Sequence, residues 1–500
     1  MQQARVAVIG SGLGGMSAAI SLRAHGYDVT VFEKNERPGG KLNVMEKDGF
    51  TFDLGPSIFT LPEYFEALFA RAGKKMEDYL QLQSVTPHWR NFFEDGLVLD
   101  LYEEDEKMRR ELDKLPGEGE AHWRELQAFL DYARGQYQFV ERGYFAKGLD
   151  TLWSFLKFYH VDLLTGKNDY RTTMADAIAS RLTDPKLRLI FEYFIKYVGS
   201  SALKAPGYMN LMPIIQFDKG LWYVKDGMYH LASGLARLMD EMGIRLELGT
   251  EIRALTREGK KVTGVEMADG SQEAFDIVVS NMEAIPTYRH LLKEPAKRLQ
   301  KLEKFAPACS GIVLHLGTDR VFPQLAHHNF FYSEDQHKHF RTVFEKHRIP
   351  DDPTLYVVAP TRTDPSKAPE GCDNIKILPH IPPLQDDHEV SHDEYVALKE
   401  RCLDKMERCG LEGLRESIIT EDLLTPVDIE RMYRSNQGSI YGVVTDWEKN
   451  RGFKAPTRSQ FYQNLYFAGG SANPGGGMPM VILSGQNCAD RVQRDFPLRS

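Results

Sequence analysis

Apolar residues change their period twice within the first fifty positions. Val6 to Ile9 form a short continuous apolar run, Met16 to Arg23 keep helical spacing, and Asp28 to Glu33 read as a second strand. A turn carrying Gly10, Gly12 and Gly15 joins the first run to the helix, so the pattern predicts a strand, turn, helix and strand in that order. From about Glu63 to Gln216 the pattern is mostly helical, charged stretches such as Glu103 to Glu120 alternating with aromatic ones such as Tyr144 to Tyr159. Further on, His230 to Met242 reads as a helix, and Ile244 to Leu248, Thr250 to Leu255, Val262 to Met267 and Ile277 to Val279 as strands. Strand candidates return at Ser310 to Gly317, Leu355 to Ala359 and Asn374 to His380. A last strand, Leu465 to Ala468, precedes a helix beginning near Met478-Pro479, where proline forfeits no helical hydrogen bond.

The first unit carries chemistry. Gly10 suits a tight turn, Gly12 lets backbone approach a pyrophosphate, and Gly15 lets the helix pack closely on the strand. Leu13 and Gly14 lie in the same turn and are cofactor candidates with it, and the N-terminus of the helix that follows faces the phosphates with unpaired N–H groups. Glu33 ends the second strand about twenty residues on, where its carboxylate can accept both ribose hydroxyls and would repel a 2′-phosphate; Lys34 follows it. At the other end of the chain, Gly469-Gly470 and a glycine-proline loop lead into Met478, Pro479 and Met480, a second helix start whose dipole favours negative charge.

Composition narrows the options. Five hundred residues exceed what one hydrophobic core sustains, so two or three lobes are expected. A net charge of -9 without a long basic run argues against nucleic acid as a partner. Five cysteines, at 309, 372, 402, 409 and 488, show neither metal-ligand spacing nor a disulfide framework, which points to no metal and a reducing cytosol. The N-terminal apolar run, broken by glycines, belongs to the dinucleotide unit rather than to a signal peptide, and no stretch is long enough to span a membrane. Two apolar segments stand out: Leu152, Trp153, Phe155, Leu156, Phe158 and Tyr159 around Lys157, and Leu211, Met212, Ile214, Ile215 and Phe217. Each is either core or a tunnel wall or lipid-facing surface.

A second glycine element, Arg37-Pro38-Gly39-Gly40-Lys41, and the Phe52-Asp53-Leu54-Gly55-Pro56-Ser57 turn resemble the flavin amine-oxidase and polyene-oxidoreductase superfamily. The resemblance implies FAD rather than NAD. It assigns Gly39, Gly40 and Lys41 to the cofactor, Gly55, Pro56 and Ser57 to the neighbourhood of the flavin ring, and the backbone of Ile252 to adenine. The segments FDLGPSI, YFIKYVGSS, GLWYV, SNMEAIPTY, LAHHNFF, YRSNQGSIYG and GGSANPGGGMPMVILSG extend it. With them the chain resembles the carotenoid desaturase and oxidase family from residue 4 to about residue 492, and most closely the bacterial C30 terminal oxidases, the diaponeurosporene or diapolycopene oxygenases.

That family implies an α/β fold: a Rossmann-like FAD-binding lobe from residues 1–62, 218–282 and 425–500, a largely helical, tunnel- or membrane-associated lobe from 63–217, and a substrate-binding lobe from 283–424. The implied activity is FAD-dependent oxidation of a terminal methyl of an acyclic C30 carotenoid to an aldehyde, its oxygen taken from water or from O₂. The sister activity, desaturation of diapophytoene or phytoene, stays open, with a non-catalytic isoprenoid carrier as a third class. The desaturases usually have histidine where this chain has Asn473, a departure that suits the oxidase branch without deciding the chemistry. The implied partners are the polyene and a membrane surface, contacted peripherally from the cytoplasmic face. A polyene offers almost nothing to hydrogen-bond, so few polar catalytic groups are expected. His327 and His328 are candidates near the oxidised terminus, or else a loop or surface pair. Arg434, within Tyr433-Arg434-Ser435-Asn436, lines flavin or substrate, or else is an ordinary surface or interdomain ion-pair residue, and Ser439-Ile440-Tyr441-Gly442 follows it.

Overall fold

The computed structural model of the protein describes residues 4–160 and 168–498; residues 1–3, 161–167 and 499–500 of the lobe ranges above lie outside it. Arg5–Ile9 is the middle strand of a five-stranded sheet whose order is Leu465–Phe467, Ile277–Ser280, Arg5–Ile9, Asp28–Phe32, Arg245–Glu247, all parallel. The strands are short apolar runs because both faces of a parallel sheet are covered. Helix Leu13–Ala24 follows the first strand and packs along the C-terminal helix, Met478–Asp495. The two backbones approach so closely that a Cβ at Gly485 would lie 2.5 Å from the Gly14 carbonyl oxygen.

An eight-stranded sheet faces this unit. Its path runs Ile418–Leu424, Val313–Thr318, Asp373–Ile381, Leu355–Val358, His328–Phe331, Trp89–Phe92, Val98–Leu101, with Ser310–Gly311 pairing off Asp373–Ile381. Alternation divides its side chains: Phe92, Phe331, Leu355 and Val357 enter a core under helix His392–Arg408, while Trp89, Phe330 and Tyr356 point the other way, into the core shared with the helices of residues 62–217.

Within the stretch read as mostly helical, residues 89–101 form a hairpin that joins this sheet through a parallel pairing with His328–Phe331. Its turn contains Asp95-Gly96, a dipeptide suited to reversing a strand, with Gly96 at φ 83°. The helices that remain include Gly119–Val140, Leu152–Tyr159 and Pro185–Tyr193, the last followed by the short helical turn Phe194–Val198. No helix among the described residues is long and apolar enough to cross a membrane.

Candidate functional site

The parallel strands end at one opening. Ile9, Glu33, Asn281 and Gly469, each at or just beyond a strand's carboxyl end, line a cavity of about 660 Å³, the usual location for a ligand on such a sheet. Gly10 holds φ at +93° to turn the chain out of the first strand. A Cβ on Gly12 would lie 2.6 Å from Asn281 Oδ1, and one on Gly14 would lie 2.8 Å from Gly469 Cα, so the cradle tolerates no side chain. Of the residues that the sequence assigns to the cofactor, only Gly15 is off the wall of this cavity; a Cβ there would collide with the Gly10 carbonyl oxygen, which is the close helix packing expected of it.

At one end stands Glu33, buried at 5% exposure. Its carboxylate accepts the Ser11 N–H and hydroxyl, both at 2.9 Å, and the Asn35 N–H and side-chain amide, at 3.0 and 2.9 Å. Those four donors fill a carboxylate's lone-pair sites, but the Ser11 hydroxyl and Asn35 amide are rotatable and can give way to a diol. In the middle, helix Leu13–Ala24 begins with no side-chain cap and no acid in its first turn. The C-terminal helix begins the same way at Met478 with Pro479 behind it, also on the cavity wall. Two bare helix N-termini in one cavity make a site for an elongated ligand with negative charge at two places.

Lys41 Nζ donates to the Ser439 carbonyl at 2.7 Å and lies 3.4 Å from Glu283 Oε1. Burial raises the pKa of Glu283 and Lys41 opposes that rise. Lys34 donates to the Arg431 carbonyl at 3.1 Å; burial, then Arg434, depresses its pKa.

The polar candidates separate. Arg434 sits at the Glu33 end, half-exposed, ion-paired at 2.6 Å with Glu251, the residue before Ile252. Both residues fall within the ranges expected for the FAD-binding lobe, so the pair is exposed and within one lobe rather than interdomain, and Arg434 also stands on the cavity wall. Neither His327 nor His328 is at the surface: both are buried and off the cavity wall, His327 in the last loop residue before a strand of the eight-stranded sheet and His328 at that strand's start. Neutral histidines are tolerated there because each has one partner. His327 Nδ1 is 2.7 Å from the Thr363 hydroxyl and His328 Nδ1 is 3.0 Å from the Tyr356 hydroxyl. Burial pushes His327 down to about 3 and His328 well below its ordinary value. Asn473 is buried with neither amide atom hydrogen-bonded among the described residues, and it too is off the wall.

The Met478 end holds residues that the sequence reading passed over. Strand Asp373–Ile381 is buried on both faces, yet one face carries Asn374, Lys376, Leu378 and His380. An apolar strand with three polar residues, Asn374, Lys376 and His380, on one buried side was the available signal. Lys376 Nζ donates to the carbonyls of Asp53, at 2.9 Å, and Gly55, at 2.7 Å, and to the Ser57 hydroxyl, thereby fixing the Gly55-Pro56-Ser57 turn. Burial lowers its pKa to about 8, and Asp53 opposes the shift. Tyr441 OH reaches His380 Nε2 at 3.3 Å. Beyond these groups the wall is Met212, Ile215, Val313, Leu378 and Leu424. Leu211 itself is buried at 1% exposure, so that segment lines the interior and is not a lipid-facing surface.

A family model described as "Flavin containing amine oxidoreductase" matches residues 13–493. The chain belongs to that family. The chain is 55% identical over 492 residues to a 4,4'-diapolycopene oxygenase of Methylomonas sp, covering 98% of each chain. It is 46% identical over 493 residues to a 4,4'-diaponeurosporene oxygenase of Staphylococcus haemolyticus (strain JCSC1435), covering 98% of this chain and 97% of the relative. Among solved structures, putrescine oxidase bound to putrescine aligns with TM-score 0.61 at 14% identity, covering 99% of both chains. An oxidoreductase from Methanosarcina mazei also gives 0.61 at 14%, covering 97% of this chain and all of that one. These two show the fold alone. The family's cofactor is FAD, and the cavity fits it: a buried acceptor at one end, a side-chain-free cradle between, a second helix start beyond.

Proposed function

We propose that the chain oxidises the terminal methyl group of an acyclic C30 carotenoid to an aldehyde, using FAD. The observation that carries the reading is the cavity beyond Met478, walled by apolar and aromatic side chains and continuous with the cofactor cradle. Full-length similarity to two oxygenases named for C30 carotenoids supports it. Glu33 would take the ribose, the Gly10 to Gly14 turn the diphosphate, and Gly469, Gly470 and Met478 to Met480 the ring. FAD, when bound, would supply two-electron redox chemistry, and the four-electron change from methyl to aldehyde would take two such cycles. The chain's own part is to hold the methyl end beside the ring and to exclude bulk water, which Met212, Ile215 and Leu378 do by their apolar surfaces. The test supplies diaponeurosporene and diapophytoene separately to flavin-loaded enzyme. Gain of one oxygen with loss of two hydrogens at a chain end is the expected product; loss of hydrogens alone would mean desaturation.

The substrate dissolves in lipid, and we infer that the enzyme docks peripherally on the cytoplasmic face of a membrane. Helix Leu152–Tyr159 exposes Leu152, Trp153 and Leu156, Trp153 at 76%. Beside it opens a second cavity, of about 580 Å³, whose rim includes exposed Lys304, Lys449 and Arg451. Tryptophan between apolar neighbours with cations alongside suits an anionic lipid interface, and it stands out on a chain of net charge -9.

A further inference from the structure

One amine in the cavity has no task in the site described above. Lys196 lies in the short turn Phe194–Val198, buried at 3% exposure, and its side chain lines the cavity wall. Its Nζ is boxed by rings, 3.8 Å from the centroid of Tyr356, 4.9 Å from Phe330 and Tyr197, and 5.3 Å from Trp89. Among the described residues it has no hydrogen bond and no ion pair. The adjoining Tyr197 carbonyl oxygen lies against Gly477, where the C-terminal helix begins, so the box adjoins the end of the cavity at which the flavin ring is assigned. Tyr356 pairs in register with Leu378 on the same wall and is held from behind by His328.

The surroundings decide the state of the nitrogen. The titratable neighbours are the Tyr356 and Tyr197 phenols, both pushed up and kept neutral by burial, and His328 and His380, each pushed down by burial before any effect of Lys196; no carboxylate offsets the desolvation of the amine. Ring faces attract an ammonium, but with no carboxylate beside it a charge taken out of water is disfavoured, and burial governs the amine. Burial accordingly holds the amine well below its ordinary pKa, and the neutral form carries a lone pair on a residue of the cavity wall. A desolvated lysine of this kind is a nucleophile toward carbonyl carbon.

We propose that Lys196 condenses reversibly with the terminal aldehyde of the polyene, holding it in the cavity as an imine. The nitrogen lone pair forms a bond to the carbonyl carbon as the carbon-oxygen π pair moves to oxygen. One amine proton passes to that oxygen to give a hydroxyl, and as the carbon-oxygen bond breaks the second amine proton joins it; water leaves and the nitrogen pair closes the carbon-nitrogen double bond. No electron is gained or lost, and addition of water reverses the sequence and frees the aldehyde. The proposal rests on the reading of the product as an aldehyde. Its consequence is that the aldehyde oxygen exchanges with water at the site, so an O₂-derived label would wash out before release.

The test uses full-length, flavin-loaded enzyme and a preformed conjugated polyene aldehyde, so its outcome does not depend on turnover. With cyanoborohydride present, a single reduced adduct is expected on the peptide carrying Lys196, with accelerated exchange of the aldehyde oxygen with labelled water. K196M and K196R should lose both while keeping the flavin spectrum. No adduct on the wild-type peptide, adducts spread over surface lysines, or an adduct and exchange rate unchanged in K196M would overturn the proposal. If both variants lose flavin, peptide mapping of the trapped wild type still decides. Absence of an aldehyde among turnover products, with trapping intact, would count against the proposed activity rather than against the lysine.

Discussion

Glu33 is a buried carboxylate with four donors already around it, so replacing it with arginine puts a cation where the only ready partners are N–H and O–H groups. Glu33→Arg is expected to purify without flavin. Gly12→Val sets a branched side chain against Asn281 and should weaken FAD binding at least about tenfold, ~1.4 kcal/mol. Flavin absorbance per chain checks both, and full occupancy in either would contradict the cradle assignment. Lys376 adds a pH dependence. Its folded pKa, about 8, lies below the unfolded value, so between the two the unfolded chain binds more protons and global stability rises with pH through that window. The local consequence is opposite in sign: above about 8 the amine loses a donor from its grip on the Gly55 to Ser57 turn, and flavin affinity should fall. Lys376→Met should bind flavin weakly already at neutral pH, with a flat profile; an unaltered profile in the variant, measured by titration, would contradict this. At this scale the glycines and Glu33 were legible because each answers a local backbone or charge requirement. Lys196 and Lys376 were not, because their roles depend on strands and turns that meet only in the folded chain.

Whole elements were legible where their period was clean. The parallel strands and their helices have apolar runs bounded by glycine turns, and the structure places them within a few residues of expectation. The hairpin of residues 89–101 was hidden by its charged flanks, and His328–Phe331 by two histidines whose polarity suggests surface until burial makes them neutral. Helix Leu152–Tyr159 is the reverse case, an apolar segment that stays exposed on one face. Trp153→Ala together with Lys449→Glu should reduce sedimentation with phosphatidylglycerol vesicles several-fold while leaving flavin content unchanged, with little binding to phosphatidylcholine in any form. Equal sedimentation of wild type and variant would remove this helix and its basic rim from the docking surface.

In the whole molecule, the cofactor cradle and the eight-stranded sheet close on one cavity from opposite sides. Gly10 to Gly14 and Met478 come from one side, and Lys376, Leu378 and Tyr356 from the other. The Rossmann-like unit is readable from sequence because its ligand is bound by backbone, which imposes glycines at fixed spacing. The polyene end is not, since an apolar wall uses the same residue types as a core and only the fold distinguishes a lined channel from a filled one. The central claim is that this cavity brings a chain-end methyl group to the flavin. Mass and fragmentation analysis of the product from diaponeurosporene and flavin-loaded enzyme tests it most directly. An added oxygen confined to a terminal carbon as an aldehyde is the expected result, and a product that has only lost hydrogens from within the chain would contradict it.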